Sequence, residues 1–146
     1  MSAPKLTLSL LSPEVMEVTA MRQIIEKPHI NWIVGYAPER DEDDTGRVVF
    51  GTIHAADSDG FAEITVACVM GYPADVEPGT EKFKKLLKKS DALEALYDVA
   101  RIAFRSATAV TDIDVQLPRK APDPRMSELV RASEDSHEEE ANAENE

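Results

Sequence analysis

The chain has 146 residues, of which 42% are apolar and 30% charged, a composition typical of one folded domain. Its 16 basic and 28 acidic residues give a net charge of −12, which does not favour binding to nucleic-acid phosphates. Cys68 is the single cysteine, which excludes an intramolecular disulfide and a zinc site built from cysteines, and indicates a reducing compartment.

The N-terminus carries one lysine, and its apolar residues are interrupted by Thr and Ser, so it is too short and too polar for a signal peptide. No apolar run approaches the roughly 18 residues that cross a bilayer. We therefore expect a cytoplasmic protein without membrane insertion.

Charge is concentrated at the C-terminus. The last 15 residues, Ala132 to Glu146, hold seven acids and no Lys or Arg, which leaves −5 for residues 1–131. Such a segment does not collapse onto a core, so we predict one folded domain over 1–131 and a disordered acidic tail over 132–146. The tail is either a solubility device or a docking segment for a basic protein partner. The docking residues would be Glu134, Asp135, Glu138, Glu139 and Glu140.

From Lys5 to Leu11, leucines alternate with Thr and Ser, which predicts a first strand. Residues 12–28 leave helix and strand open. Ser12 followed by Pro13 fits a helix start with apolar residues on one face, whereas the many β-branched residues favour a strand.

Three later segments alternate with a period of two and predict strands, at residues 29–36, 47–55 and 61–72. The acidic loop Ala37 to Gly46 and the Asp-Gly turn Asp57 to Gly60 connect them. We therefore expect these three strands to pair as an antiparallel meander.

Pro73, Pro78 and Gly79 mark the change from sheet to helix. A helical period then runs from Phe83 to Ala107, and Ser90 and Asp91 divide it into two helices. We expect the longer second helix to cover the sheet.

Beyond the helices, Asp112 to Pro118 predicts a half-buried strand or an extended arm, and 118–124 a proline-rich link. A short amphipathic helix is predicted from Pro124 or Arg125, with Met126, Leu129 and Val130 on one face. The fold class is therefore α+β: a four-stranded antiparallel meander sheet packed against a long C-terminal helix, with a short second helix and the acidic tail.

No residue pattern predicts catalysis. His29, His54 and His137 lie outside recognisable motifs, and the acids at 41–44 lack the ligand spacing of a calcium loop. The six glycines are not clustered, so nucleotide binding has no support. We expect a protein that is not an enzyme and that uses no cofactor and no metal.

The order of these elements resembles SecB-like chaperones. The closest match is the segment Leu96 to Pro124, which is similar to the family's aromatic-containing helix with an Arg in its first turns, followed by a strand-like stretch and a proline-containing loop. A few identities lie around Leu96, Tyr97 and Arg101. The Lys-rich helix start at Lys82 to Lys89 departs from the family, as does the absence of the usual glycine-rich segment.

The resemblance implies a non-enzymatic chaperone that binds unfolded or partner polypeptides through an apolar sheet surface, in protein export or in protection of an antitoxin. It also implies a homodimer or homotetramer. The client-binding candidates are the aromatic and apolar residues of the three strands: Trp32, Val34, Tyr36, Phe50, Phe61, Met70 and Tyr72. The alternative hypothesis is an acidic adaptor or inhibitor, phage-borne or a nucleic-acid mimic, that binds a basic protein.

Overall fold

The computed structural model describes residues 6–24, 27–41 and 44–130. In chain order the elements are strands β1 (Ser9–Arg22), β2 (His29–Tyr36), β3 (Gly46–Asp57) and β4 (Gly60–Gly71), helices α1 (Thr80–Lys88) and α2 (Asp91–Thr111), and strand β5 (Arg125–Glu128). The α+β class with a long helix on a sheet is confirmed.

The sheet has five strands in the order β1-β4-β3-β2-β5. The predicted meander is confirmed for β2, β3 and β4, and Ser58 and Asp59 form the two-residue connection between β3 and β4. β1 pairs with β4 and not with its sequence neighbour β2, so the sheet as a whole is not a four-stranded meander.

β1 resolves the choice between helix and strand over residues 12–22. The chain is a strand there, as its β-branched residues favour, and the strand begins at Ser9 rather than Lys5. Ser12 has a positive φ of 49°, and the pairing with β4 shifts between Leu11 and Glu14 and again between Val15 and Glu17. The signals that suggested a helix start at Ser12 therefore mark an irregularity within the strand.

The predicted short helix after Pro124 is wrong. Residues 125–128 form β5, which runs parallel to β2 and places Met126 opposite Val34. Leu129 continues the contact, because its backbone N–H donates to the carbonyl oxygen of Tyr36 over 2.8 Å. Pairing with the edge of β2 satisfies backbone groups that a short isolated helix would leave to solvent.

Two helices cover one face of the sheet, divided at Ser90 as predicted. The Ser90 hydroxyl caps α2 by accepting from the backbone N–H of Leu93 over 3.1 Å. α2 ends at Thr111 and is followed by Asp112, which adopts the left-handed conformation. Inward residues of both helices and of β2 to β4 form one hydrophobic cluster, including Trp32, Ile53, Ile64, Phe83, Leu96 and Phe104.

Residues 112–117 form an extended arm without strand pairing. Ile113 and Val115 of the arm are buried. The Tyr97 hydroxyl donates to the carbonyl oxygen of Pro118 over 2.6 Å, and the Glu94 carboxylate accepts from the backbone N–H of Ala121 over 2.9 Å. These two contacts hold the link to β5 against α2.

Candidate functional site

Five of the seven client-binding candidates lie on the helix-covered face of the sheet. Tyr36 and Tyr72 both face Phe83 of α1, with ring centroids 6.0 and 6.1 Å away. All five are buried: Trp32, Val34, Tyr36, Met70 and Tyr72. Their burial does not fit an open client surface, because the apolar faces of α1 and α2 already occupy this side of the sheet.

Trp32 nevertheless reaches a cavity. Its ring meets Tyr97 of α2 edge-on at 5.5 Å, and it lines a cavity of about 240 Å³ together with residues 120–124 of the link. The indole Nε1 is buried and has no hydrogen-bond partner among the described residues. An unpaired buried donor is costly, so a hydrogen-bond acceptor that reached this N–H would be stabilising.

Phe50 and Phe61 lie on the opposite, open face of the sheet and are partly exposed. Phe50 is paired in register with Gly35 and Ala67, and Phe61 with Met21 and Ala56. Residues paired directly across a sheet project to the same face, so the neighbours of both aromatic rings are mostly small or apolar.

The open face carries further apolar side chains. Four of them are partly buried or exposed: Leu11, Ile33, Val48 and Val69. Thr52 and Thr65 meet at its centre with their hydroxyls 2.9 Å apart. Leu129 lies over the position of Gly35 and borders a cavity together with Val48, and no helix of the described residues packs on this face. We call this surface, centred on Phe50 and Phe61, the open apolar face.

Two of the histidines lie at one end of the open apolar face. Nε2 of His29 and Nδ1 of His54 are 2.8 Å apart, and the two rings stack. The His54 ring in turn stacks on Phe61 with centroids 5.5 Å apart. The pair thereby fixes the position of an aromatic side chain. Across residues 6–24, 27–41 and 44–130, no cluster of three or more His, Cys, Asp or Glu is arranged to hold a metal.

β1 forms an edge of the sheet and carries exposed apolar side chains among polar ones. Val15 and Val18 pair with buried residues of β4, which places them on the helix-covered side, yet they stay 46% and 53% exposed. Met16 and Met21 are also about half exposed. A long edge strand offers unpaired backbone groups to another strand.

A polar cluster that the sequence did not indicate fixes the connection between β4 and α1. Arg47 is only 2% exposed, and its guanidinium lies 3.0 Å from the Glu77 carboxylate and donates to the carbonyl oxygen of Pro78. Arg40 pairs with the same carboxylate over 3.2 Å and lies over the Tyr72 ring. Arg47 occupies an inward strand position where a period of two predicts an apolar residue, so pattern alone gives no sign of the pair.

No protein-family model and no curated protein sequence matches this chain. The chain is similar to a solved structure, that of the Mycobacterium tuberculosis Rv1957 SecB-like chaperone in complex with a ChAD peptide from the Rv1956 HigA1 antitoxin. The likeness has a TM-score of 0.57 and covers 79% of this chain and 88% of that one, at 15% sequence identity. The fold is SecB-like. The predicted resemblance is thus confirmed at the level of the fold.

Two further sequence predictions concern the acidic tail and membrane insertion. The docking residues of the tail, Glu134, Asp135, Glu138, Glu139 and Glu140, lie outside the described residues, as does His137. Within the described part of the chain, neither helix is long and apolar enough to span a bilayer.

Proposed function

We propose that this protein is a non-enzymatic, chaperone-like protein that binds unfolded or partner polypeptides on the open apolar face of its sheet. The observation that carries the proposal is an apolar sheet face without a helix on it, in a fold that is SecB-like. Exposed apolar patches on soluble proteins mark binding surfaces, and aromatic side chains give large contact area to varied partners.

Of the predicted client residues, Phe50 and Phe61 are the two that this surface retains. Phe61 lies near the β3–β4 turn and Phe50 near the middle of β3, with the Thr52–Thr65 and His54–Glu63 pairs between them. An extended segment laid along these strands would place apolar side chains at Phe50 and Phe61 and polar groups between them. Trp32 contributes separately, through the cavity under the link.

The experiment is suppression of aggregation. We expect the purified protein to slow light scattering by a panel of three unrelated unfolded reporters and one antitoxin. Phe50→Gln combined with Phe61→Gln should lower that activity at least about threefold, because apolar contact area is lost. The matched control is Ile102→Gln with Val110→Gln, two exposed apolar side chains of α2, on the other side of the sheet. Thermal unfolding of each variant checks that it is folded.

Two results would refute the proposal. One is that no member of the panel is protected by the unmodified protein. The other is that the double Phe variant, still folded, protects as well as the control variant. In the second case the client contacts lie elsewhere, and the Trp32 cavity is the next surface to alter.

The breadth of protection separates the two proposed roles. A chaperone for export protects several unrelated reporters, whereas a chaperone dedicated to an antitoxin protects that client alone. The similar Mycobacterium chaperone was solved with a peptide from an antitoxin, which supports the dedicated role. The same panel therefore decides between the roles by how many reporters remain in solution.

We also propose that the protein is a homo-oligomer assembled through the β1 edge. Val15, Met16 and Val18 stay about half exposed there, next to a row of unpaired backbone groups. Pairing of β1 with β1 of a second copy would cover both, as strand addition does.

Light scattering coupled to gel filtration at about 50 µM tests the assembly. We expect a dimer or tetramer for the unmodified protein and a smaller species for Val15→Glu with Val18→Glu. Ile102→Glu with Val110→Glu adds the same charge on exposed positions of α2 and should leave the mass unchanged. A monomeric unmodified protein would rule out the assembly.

A further inference from the structure

Helix α1 carries a cationic surface on an acidic protein. Five of the sixteen basic residues lie between Lys82 and Lys89, although the chain has a net charge of −12. Three of them, Lys82, Lys85 and Lys89, recur on one side of the helix and line a cavity of about 440 Å³. Leucines of α1 and of the segment before β1 form its apolar floor: Leu6, Leu8 and Leu86. We call this the lysine groove.

The lysine groove lacks compensating charge. Among the described residues that line it, Asp91 is the only one with a carboxylate. Lys88, on a different side of α1, pairs with Asp123 over 3.7 Å, but none of the three groove lysines forms an ion pair with a described residue. Three ammonium groups this close together repel one another, and an anionic partner would relieve that repulsion.

The C-terminal segment of the chain is a candidate for this anionic partner. Residues 132–146 hold seven acids and no Lys or Arg. No other stretch of the chain combines this charge with this length, and the folded body from 1 to 131 is itself acidic at −5, which directs the tail away from most of its surface.

The end of the described chain lies beside α1. The Leu129 backbone N–H donates to Tyr36, and Val130 borders a small cavity together with Pro38. The carbonyl oxygen of Pro38 accepts from the hydroxyl of Thr80, the first residue of α1, over 3.2 Å. α1 is roughly 13 Å long at about 1.5 Å per residue, and 15 extended residues reach about 50 Å, so the tail spans the helix easily.

We propose that the acidic tail, residues 132–146, binds in cis to the lysine groove formed by Lys82, Lys85 and Lys89. The tether supplies an effective concentration in the millimolar range, which compensates for the weakness of individual exposed ion pairs. A basic protein partner of the tail would then compete with α1, and occupation of the groove would decide when the tail is free.

The main experiment measures the acetylation rate of each lysine by mass spectrometry in the full-length protein at low salt. The comparison variant neutralises the tail and keeps its length, by replacing every Glu with Gln and the Asp with Asn from 134 to 146. We expect Lys82, Lys85 and Lys89 to react about threefold faster in that variant, the size expected for loss of exposed ion pairs. Lys27 is the internal control, and 0.5 M NaCl should abolish the difference.

A second measurement uses a labelled peptide with the sequence of residues 132–146. It should bind the tail-neutralised protein at least about fivefold more tightly than the unmodified protein, whose groove is occupied. Within the tail-neutralised protein, Lys82→Gln, Lys85→Gln and Lys89→Gln together should abolish that binding. The matched control, Lys27→Gln, Arg105→Gln and Arg119→Gln, removes the same charge and should retain it.

Several outcomes would overturn the proposal. Equal acetylation rates in the unmodified and the tail-neutralised protein would show that the tail does not occupy the groove. If the labelled peptide nevertheless bound the groove, the groove would be a site for an acidic peptide from another protein. Equal loss of binding in both triple variants would reduce the effect to net charge. A rate difference that appears only above about 50 µM protein would place the tail on a second copy, in trans.

Discussion

Replacing Glu77 by Gln should destabilise the protein by more than the exposure of Glu77 suggests. The Glu77 side chain is 52% exposed, and a half-exposed ion pair ordinarily contributes less than about 1 kcal/mol. Its partner Arg47, however, is 2% exposed. The substitution leaves a buried guanidinium whose charge is no longer balanced, and one of its nitrogens already has no hydrogen-bond partner among the described residues.

The expected loss of unfolding free energy follows from the difference in burial between Arg47 and Glu77. Breaking a fully buried ion pair by removing one partner costs about 3–5 kcal/mol. Gln keeps an acceptor for Arg47 and for the Tyr72 hydroxyl, which lies 2.9 Å from the carboxylate, and water reaches the outer half of the side chain. We therefore expect Glu77→Gln to lower the free energy of unfolding by about 2 kcal/mol at pH 7.

A double-mutant cycle measures the coupling by chemical denaturation. Arg47→Met removes the charge but keeps much of the packing against Phe83, over whose ring the guanidinium lies at 4.8 Å. We expect Glu77→Gln to cost far less in the Arg47→Met background, a coupling of about 1–2 kcal/mol. A cost for Glu77→Gln below about 0.5 kcal/mol, or strict additivity in the cycle, would refute the reasoning.

The same pair predicts a pH dependence. Partial burial alone would raise the pKa of Glu77, but hydrogen bonds from Tyr72 and Arg47, with the charges of Arg47 and Arg40, lower that pKa below its ordinary value of 4.5. The folded state then binds fewer protons at Glu77 than the unfolded state does. The stabilisation is complete above about pH 4.5 and is lost as the pH falls through the folded-state pKa. The difference between the unmodified protein and Glu77→Gln should therefore shrink below pH 4.5.

Three further predictions concern the core and the helix cap. Ser90→Ala removes the cap of α2 and should cost about 1 kcal/mol in unfolding free energy, whereas Ser106→Ala, in the exposed middle of the same helix, should cost less than about 0.5 kcal/mol. Gly51→Ala places a Cβ 2.3 Å from the indole of Trp32 and should lower the free energy of unfolding by about 1–3 kcal/mol. Gly79→Ala, with open space around it, should lower it by less than about 1 kcal/mol. Burial raises the pKa of the Cys68 thiol to about 12, so iodoacetamide at pH 8 should label the protein only after unfolding; labelling of the native state would contradict this.

The central strands were predictable because their pattern is local. A period of two over β2, β3 and β4 and an Asp-Gly turn suffice to predict an antiparallel meander. The position of β1 beside β4 depends on pairing across about 50 residues, and nothing in the segment around Val15 specifies that partner. Its strand state was left open because capping signals at Ser12 competed with β-branched residues.

β5 shows where periodicity fails. Met126, Leu129 and Val130 are spaced as on a helix, and four residues are too few for a period of two to compete with that reading. The strand state comes from the free edge of β2, which is a tertiary partner. The predicted helix at this place was therefore wrong for a reason that the segment itself does not contain.

Two of the seven client-binding candidates lie on the open apolar face, and the position of Trp32 explains why the other five are buried. Alternation assigns residues to two faces but does not say which face the helices cover. Gly51 leaves room for the Trp32 ring to lie over β3, where Tyr97 of α2 meets it edge-on and its hydroxyl holds the link at Pro118. Once the largest side chain requires this cover, the residues in phase with it on the central strands, such as Val34 and Ile53, become core.

The residues out of phase with Trp32 then form the open apolar face. Phe50 and Phe61 lie on that face because each is in register with residues that project away from the helices. A sheet with a single covered face usually alternates apolar with polar residues, so apolar residues on both sides call for a second partner. Both helices of the described residues pack on the Trp32 side, which supports the proposal that the open apolar face binds another chain.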